Sequence, residues 1–171
     1  MIRRVAYRKA IFAGTVGAVA WEVTARFLKL LGLPVFDLVH SLGTIAFAEP
    51  APAWQWWPAG MIVHCLVGSI WAIFYAYFFW STFNYRPIVQ GLLFSLLPIA
   101  LAGLIMVPQM DWMHPGILNG SVPRNGIFAI RTGVGGPAMI VLGHLVYGAV
   151  LGSIYVRPVG YPTGKRIQLH A

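Results

Sequence analysis

Charged side chains are scarce in this chain, and acidic ones are the scarcest. Charged residues make up 9% of the 171 residues, whereas soluble domains carry about 25%. Four residues are Asp or Glu, against twelve Lys and Arg, and 58% of the chain is hydrophobic. This composition excludes a soluble globular domain and indicates an integral membrane protein.

Other absences narrow the class further. The single cysteine, Cys65, excludes an intramolecular disulfide, and CxxC pairs are absent. The glycine-rich run at 132–136 lacks the lysine of a phosphate-binding loop. The net charge of +8 does not predict nucleic-acid binding, because the basic residues stand mostly at the ends of apolar runs, where they meet lipid head groups. We therefore expect the lipid bilayer, and no nucleic acid, as a partner.

Four long apolar runs predict an all-α membrane protein with four transmembrane helices. The runs are continuous rather than alternating, which predicts helices and not the strands of a barrel. A short helix in the first connection is predicted to lie at the membrane interface. We interpret the whole chain, 1–171, as a single membrane domain. The predicted spans cover about 10–33, 59–82, 87–107 and 136–156.

The basic residues predict how the helices insert. Cytoplasmic loops of membrane proteins carry an excess of Lys and Arg, so we expect both termini of this multi-pass protein in the cytoplasm of a bacterium, as a basic arm (1–9) and a basic tail (157–171), and the helices in its inner membrane. The predicted inner side carries eight basic residues: Arg3, Arg4, Arg8, Lys9, Arg86, Arg157, Lys165 and Arg166. The predicted outer side carries four: Arg26, Lys29, Arg124 and Arg131.

Two of the predicted helices carry the same stripe of a histidine, two small residues and a tyrosine. Its positions i, i+4, i+8 and i+11 lie along one helix face. The stripe on the second helix is His64, Gly68, Ala72 and Tyr75, and the stripe on the fourth is His144, Gly148, Gly152 and Tyr155.

A second echo accompanies the stripe. Asp37-x2-His40 and Asp111-x2-His114 each follow shortly after a proline. The two echoes occur in the same order along the chain. They predict two tandem hairpins inserted in the same direction and related by an axis along the membrane normal. Repeat one would cover about 10–82 and repeat two about 87–156.

The acidic and histidine side chains give three alternatives for the chemistry of this protein. They could ligate a transition metal. The two stripe histidines could instead hold a haem, or line a bacteriochlorophyll or quinone pocket. In the third alternative they make interhelical hydrogen bonds, from Asp37 or Glu22 to His64 and from Asp111 to His144. The candidate ligands are His64, His144, Asp37, His40, Asp111, His114 and Glu22.

Small and aromatic residues have structural interpretations. Small residues at a spacing of four let membrane helices approach closely, and Trp and Tyr are enriched at membrane interfaces. The predicted packing residues are Gly14, Ala18, Gly68, Ala72, Gly148 and Gly152, and the predicted interfacial anchors are Trp54, Trp56, Trp57, Tyr75 and Tyr155.

Three features together resemble an uncharacterised family of small bacterial four-helix membrane proteins with an internal two-helix repeat. They are the glycine-rich start of helix one at 13–18, the Met-Pro end of helix three at 105–110, and the repeated His-x3-Gly helix. Trp21-Glu22 stands in helix one where that family has a methionine. The resemblance implies a fold and assigns no activity.

We expect a non-enzymatic accessory or structural subunit of a larger membrane complex, with other membrane subunits as partners and no cofactor. The small-residue faces and aromatics exceed what four helices need among themselves, which favours partners. A redox protein that binds haem, pigment or metal near the outer face is the first alternative. A small transporter is the second.

Overall fold

The computed structural model describes residues 5–47, 50–80 and 85–156, and within these ranges the chain forms helices and loops without strands. Four helices are long and apolar enough to cross a membrane, which confirms the predicted membrane-embedded, all-helical class. The long helices are α1 (Tyr7–Leu30), α3 (Ala53–Phe78), α4 (Pro87–Leu101) and α7 (Gly135–Ile154). The short ones are α2 (Leu38–Ala46), α5 (Val107–Met113), α6 (Pro115–Leu118) and a 3₁₀ helix (Ile127–Thr132).

The third span is longer than predicted. A π-helical segment, Ala102–Met106, joins α4 directly to α5, so the helix continues to Met113 and not to about 107. Pro108 has no N–H for the carbonyl four residues earlier. The preceding π-helical segment, in which the Val107 N–H bonds the Ala102 carbonyl, shifts the register, and the helix passes the proline. Much of the predicted second connection is therefore helical.

Each hairpin is closed by glycines that bring two backbones together. In the first hairpin Gly14 of α1 lies against the Gly68 carbonyl and Ala72 of α3. In the second, Gly91 of α4 lies against the carbonyl of Gly148 of α7. A Cβ at any of these glycines would overlap the facing helix. Hydrocarbon gives no hydrophobic force between helices, so this close packing holds them together.

The helices lie in the order α3, α1, α7, α4. α1 packs against both α3 and α7, and α7 also packs against α4, whereas α3 and α4 do not pack backbone against backbone along their described lengths. They meet through rings: Phe94 of α4 contacts Trp71, with 6.1 Å between ring centroids, and Tyr75, with 5.1 Å. These rings lie toward the end of the bundle at which α1 begins and α7 ends, here called the terminal end. The opposite end, which carries α2, α5 and α6, is called the loop end.

The structure overturns the prediction that Tyr75 and Tyr155 are interfacial anchors. Both are buried, with their rings 6.1 Å apart. The Tyr155 hydroxyl accepts a hydrogen bond from the Ala6 N–H at 3.2 Å. The two tyrosines therefore pack α3 against the ends of α1 and α7.

The predicted tryptophan anchors lie in the first turns of α3 rather than before it. Trp54 and Trp57 are exposed, as an anchor must be. Trp56 is half-buried, and its ring meets that of His40 on α2 edge-on at 4.7 Å.

A leucine in place of Gly152 should destabilise the fold, because a side chain there would overlap the Pro87 carbonyl and the backbone of Gly91. We expect a loss of about 1–3 kcal/mol, seen as a lower midpoint of thermal unfolding in detergent. Ser153→Leu, one residue along and exposed, is the control and should leave the midpoint unchanged. Equal effects of the two variants would show that α4 and α7 are not in close contact.

Candidate functional site

The two stripe histidines lie at the middle of their helices. His64 is the twelfth of the 26 residues of α3, and His144 is the tenth of the 20 residues of α7. The sequence predicted both in the outer third of the bilayer. Since α3 begins at Ala53 and not near residue 59, His64 lies farther along its helix than predicted. Ionisable side chains at mid-span are rare and commonly mark functional sites.

A cavity of about 220 Å³ lies beside both histidines. Its walls come from α1, α3, α7 and the α4–π segment, and α2 with Phe36 covers it at the loop end. Nearly all of its lining is apolar, and no Asp, Glu, Lys or Arg among the described residues contributes to it. The cavity occupies the space that α3 and α4 leave between them.

Trp21 of α1 lies between the histidines. Its ring meets that of His64 edge-on at 5.1 Å and that of His144 at 6.1 Å. The indole is 2% exposed and fits against Gly143 of α7, where a Cβ would overlap it. Its Nε1–H has no hydrogen-bond partner among the described residues.

The tautomer of His144 is fixed by its own helix. Nδ1 lies 2.7 Å from the Ile140 carbonyl, which only accepts, so Nδ1 carries the proton. In the neutral ring Nε2 is then an acceptor with a lone pair. The described residues give Nε2 no hydrogen bond, and the half-buried ring lines the cavity.

His64 is more deeply buried, at 8% exposure, and its Nε2 is without a hydrogen-bond partner among the described residues. Leaving a buried polar atom unpaired costs about 1–3 kcal/mol. The unpaired nitrogen therefore lowers the stability of the protein. Proteins commonly keep such destabilising residues at functional sites, where the residue is needed for binding and not for folding.

The cavity opens sideways, between α3 and α4. Val67 of α3 and Ile105 and Met106 of the π-helical segment line it, and all three are also exposed on the outside of the bundle. All three belong to helices that are apolar enough to span a membrane. In a bilayer, helices of this kind would place the opening against hydrocarbon. Toward the terminal end the ring contacts around Phe94 close the space.

The predicted hydrogen bonds from acidic residues to the stripe histidines are not formed. Glu22 instead holds Arg26, with Nε and one terminal nitrogen each 2.6 Å from Oε1. Arg26 also donates to Asp37 at 3.2 Å, and Lys29 lies 3.7 Å from the same carboxylate. Two acids and two bases thus neutralise one another at the loop end of α1.

The two Asp-x2-His segments have different structures. Asp37 caps α2 by accepting the His40 N–H at 3.0 Å. Asp111 is buried inside α5 and accepts from the backbone N–H groups of Asn125 and Gly126, at 2.7 and 2.8 Å. The second carboxylate therefore anchors the loop before α7 and does not cap a helix.

His114 has a structural role that the sequence did not predict. Its Nδ1 accepts the Gly116 N–H at 3.1 Å, so Nε2 carries the proton and donates to Thr44 at 2.9 Å. Thr44 in turn donates to the His40 carbonyl at 2.8 Å. His114 thus joins α6 to α2.

The seven candidate ligands therefore separate into different places, and in the described part of the chain no three His, Cys, Asp or Glu residues are grouped as a metal site requires. Only His64 and His144 share the cavity. The sequence did not identify Trp21 or the π-helical segment as parts of a site. It also missed Tyr147, which lines the cavity and whose hydroxyl donates to the Gly68 carbonyl at 2.6 Å.

Comparison of the chain with known protein families, with curated proteins and with solved structures finds no match.

Replacing His64 with leucine should change the stability of the ligand-free protein little, because the loss of the ring's backbone hydrogen bond to Ala18 is offset when the unpaired buried Nε2 is replaced by apolar atoms. His114→Leu is the matched control. It should cost about 1–3 kcal/mol, since Thr44 and the Gly116 N–H lose their partner. Thermal unfolding of both purified variants checks this. If His64→Leu lost as much stability as His114→Leu, the main role of His64 would be structural.

Proposed function

We propose that this protein is a non-enzymatic, membrane-embedded binding protein for a small lipid-soluble molecule. The observation that carries the proposal is the apolar cavity at mid-span, which has two histidines in its wall and an opening toward the lipid. A ligand dissolved in the bilayer would reach the cavity without crossing water. The four spans suit a multi-pass membrane protein, and the inner membrane with cytoplasmic termini stays the location that the basic residues predict.

The size of the cavity limits the ligand. An engineered cavity of about 150 Å³ in a soluble protein binds benzene, and this cavity measures about 220 Å³. One ring with small substituents fits that space, and the rest of a longer molecule must lie in the opening. A haem or bacteriochlorophyll has four pyrrole rings and does not fit between the walls as they stand. The cavity therefore favours a single-ring ligand over the macrocycles that the sequence left open.

The role of accessory subunit in a larger complex stays a prediction, and one of the arguments for it is weaker once the helix contacts are known. Glycines that suggested spare packing faces make their contacts inside the chain: Gly14 and Gly68 pack on each other, and Gly148 packs on Gly91. The exposed aromatics remain, among them Trp54 and the ring of Phe12, and lipid covers such residues as well as a partner does. A ligand-binding protein can also be a subunit, so the two roles are compatible.

The matching glycine contacts of the two hairpins support the proposed tandem repeat. Gly14 meets the stripe glycine Gly68, and Gly91 meets the stripe glycine Gly148. A small transporter has less support, because the ring cluster around Phe94 separates the cavity from the terminal end.

Filling the cavity should abolish binding. The probe is a single-ring aryl diazirine, which labels cavity-lining peptides of the protein in membranes. We expect Ala102→Phe, whose ring would occupy the cavity, to remove most of the saturable labelling. Leu104→Phe is the control, because Leu104 is exposed on the same helical segment and does not line the cavity.

Mass spectrometry of the labelled peptides gives the readout. Labelling that is spread over all lipid-facing peptides, is not saturable and is the same in both variants would contradict the proposed function.

A further inference from the structure

The free nitrogen of His144 defines the hydrogen bond that a ligand must supply. Because the Ile140 carbonyl takes the Nδ1 proton, Nε2 in the neutral ring accepts and cannot donate. His144 is also the less buried of the two histidines that line the cavity. A well-matched ligand therefore brings either a hydrogen-bond donor or a metal to this nitrogen.

A bare metal ion is the weaker partner. Zinc and the hard cations take about four or more ligands from imidazole, thiolate and oxygen groups. Among the described residues the cavity offers two imidazoles and the thioethers of Met106 and Met110, with no carboxylate and no thiol. The Tyr147 hydroxyl is already bonded to the Gly68 carbonyl. A hydroxyl group needs one acceptor and suits a space whose other walls are apolar.

The walls also indicate what carries the hydroxyl. Trp21, Trp71 and Phe36 line the cavity with flat aromatic faces and edges, which favour an aromatic ring of the ligand. The sideways opening at Val67 and Ile105 leaves a path for an apolar tail into the membrane.

We propose that the cavity binds the ring of a phenol- or quinol-type lipid, with a ring hydroxyl donating to Nε2 of His144 and the tail leaving between α3 and α4. This inference rests on the proposed function and specifies its ligand class. It has a consequence for redox pairs: a quinol donates from its hydroxyls, whereas the oxidised quinone offers carbonyls that only accept. The quinone leaves Nε2 of His144 unpaired, so the reduced form should bind about tenfold more tightly, the equivalent of one buried hydrogen bond.

The test titrates the full chain in lipid nanodiscs with decylubiquinol, kept reduced under anaerobic conditions, and separately with decylubiquinone. Quenching of tryptophan fluorescence reports binding. We expect the reduced form to bind more tightly in the wild-type chain, and His144→Leu to weaken the quinol about tenfold while leaving the quinone unchanged. A variant that fails to fold would lose binding of both the quinol and the quinone. The informative readout is therefore the change in the ratio of the two affinities. Leu104→Phe should behave like wild type.

The outcomes separate the two proposals. Equal affinities, or tighter binding of the quinone, would overturn the inference. If neither form binds but aryl diazirine labelling of the cavity is lost in Ala102→Phe, the binding function stands and the ligand class is wrong. If that labelling is also absent, both fail. If a Soret band appeared with added haemin and was lost in His144→Leu, the ligand would be a macrocycle and the proposed hydroxyl-bearing ligand would be wrong.

Discussion

Close backbone contact at glycines is the constraint on which this structure depends. In hydrocarbon, helices gain little from burying apolar side chains against each other, so short interhelical distances provide the attraction. Gly14 on Gly68 and Gly91 on Gly148 set those distances in the two hairpins. Tyr147 adds a hydrogen bond that crosses from α7, past Gly17 of α1, to the Gly68 carbonyl of α3. These contacts fix α1 and α7 as the tightly packed centre.

The two outer helices are held less closely, and this difference produces the cavity. A twofold relation between the hairpins would make the α1–α7 contact equivalent to a contact between α3 and α4. The first pair packs closely and the second does not. In the second repeat Tyr147 precedes Gly148, and the equivalent residue before Gly68 in the first repeat is Val67. Valine has no hydroxyl, so it cannot form the hydrogen bond that Tyr147 forms. The space stays open beside Val67, and the π-helical segment, a feature often found at functional sites, forms its far wall.

The sequence predicted the spans and the packing glycines because both depend on local pattern: long apolar runs and small residues at a spacing of four. It failed where tertiary contacts decide. Tyr75 and Tyr155 have the composition of a membrane belt, and their burial depends on where Phe94 and Ala6 lie. Asp37 and Asp111 share a motif, but one caps a helix and the other holds a loop. The position of His64 along its helix differs from the prediction because α3 begins before Pro58 and includes it.

An experimental density map of the protein, taken from its own membrane in native lipid discs, tests the central claim most directly. We expect non-protein density in the cavity, the size of one ring, within hydrogen-bonding distance of His144 Nε2 and continuing outward between α3 and α4. A map in which side chains of α3 pack directly on α4, with no space beside His144, would contradict it.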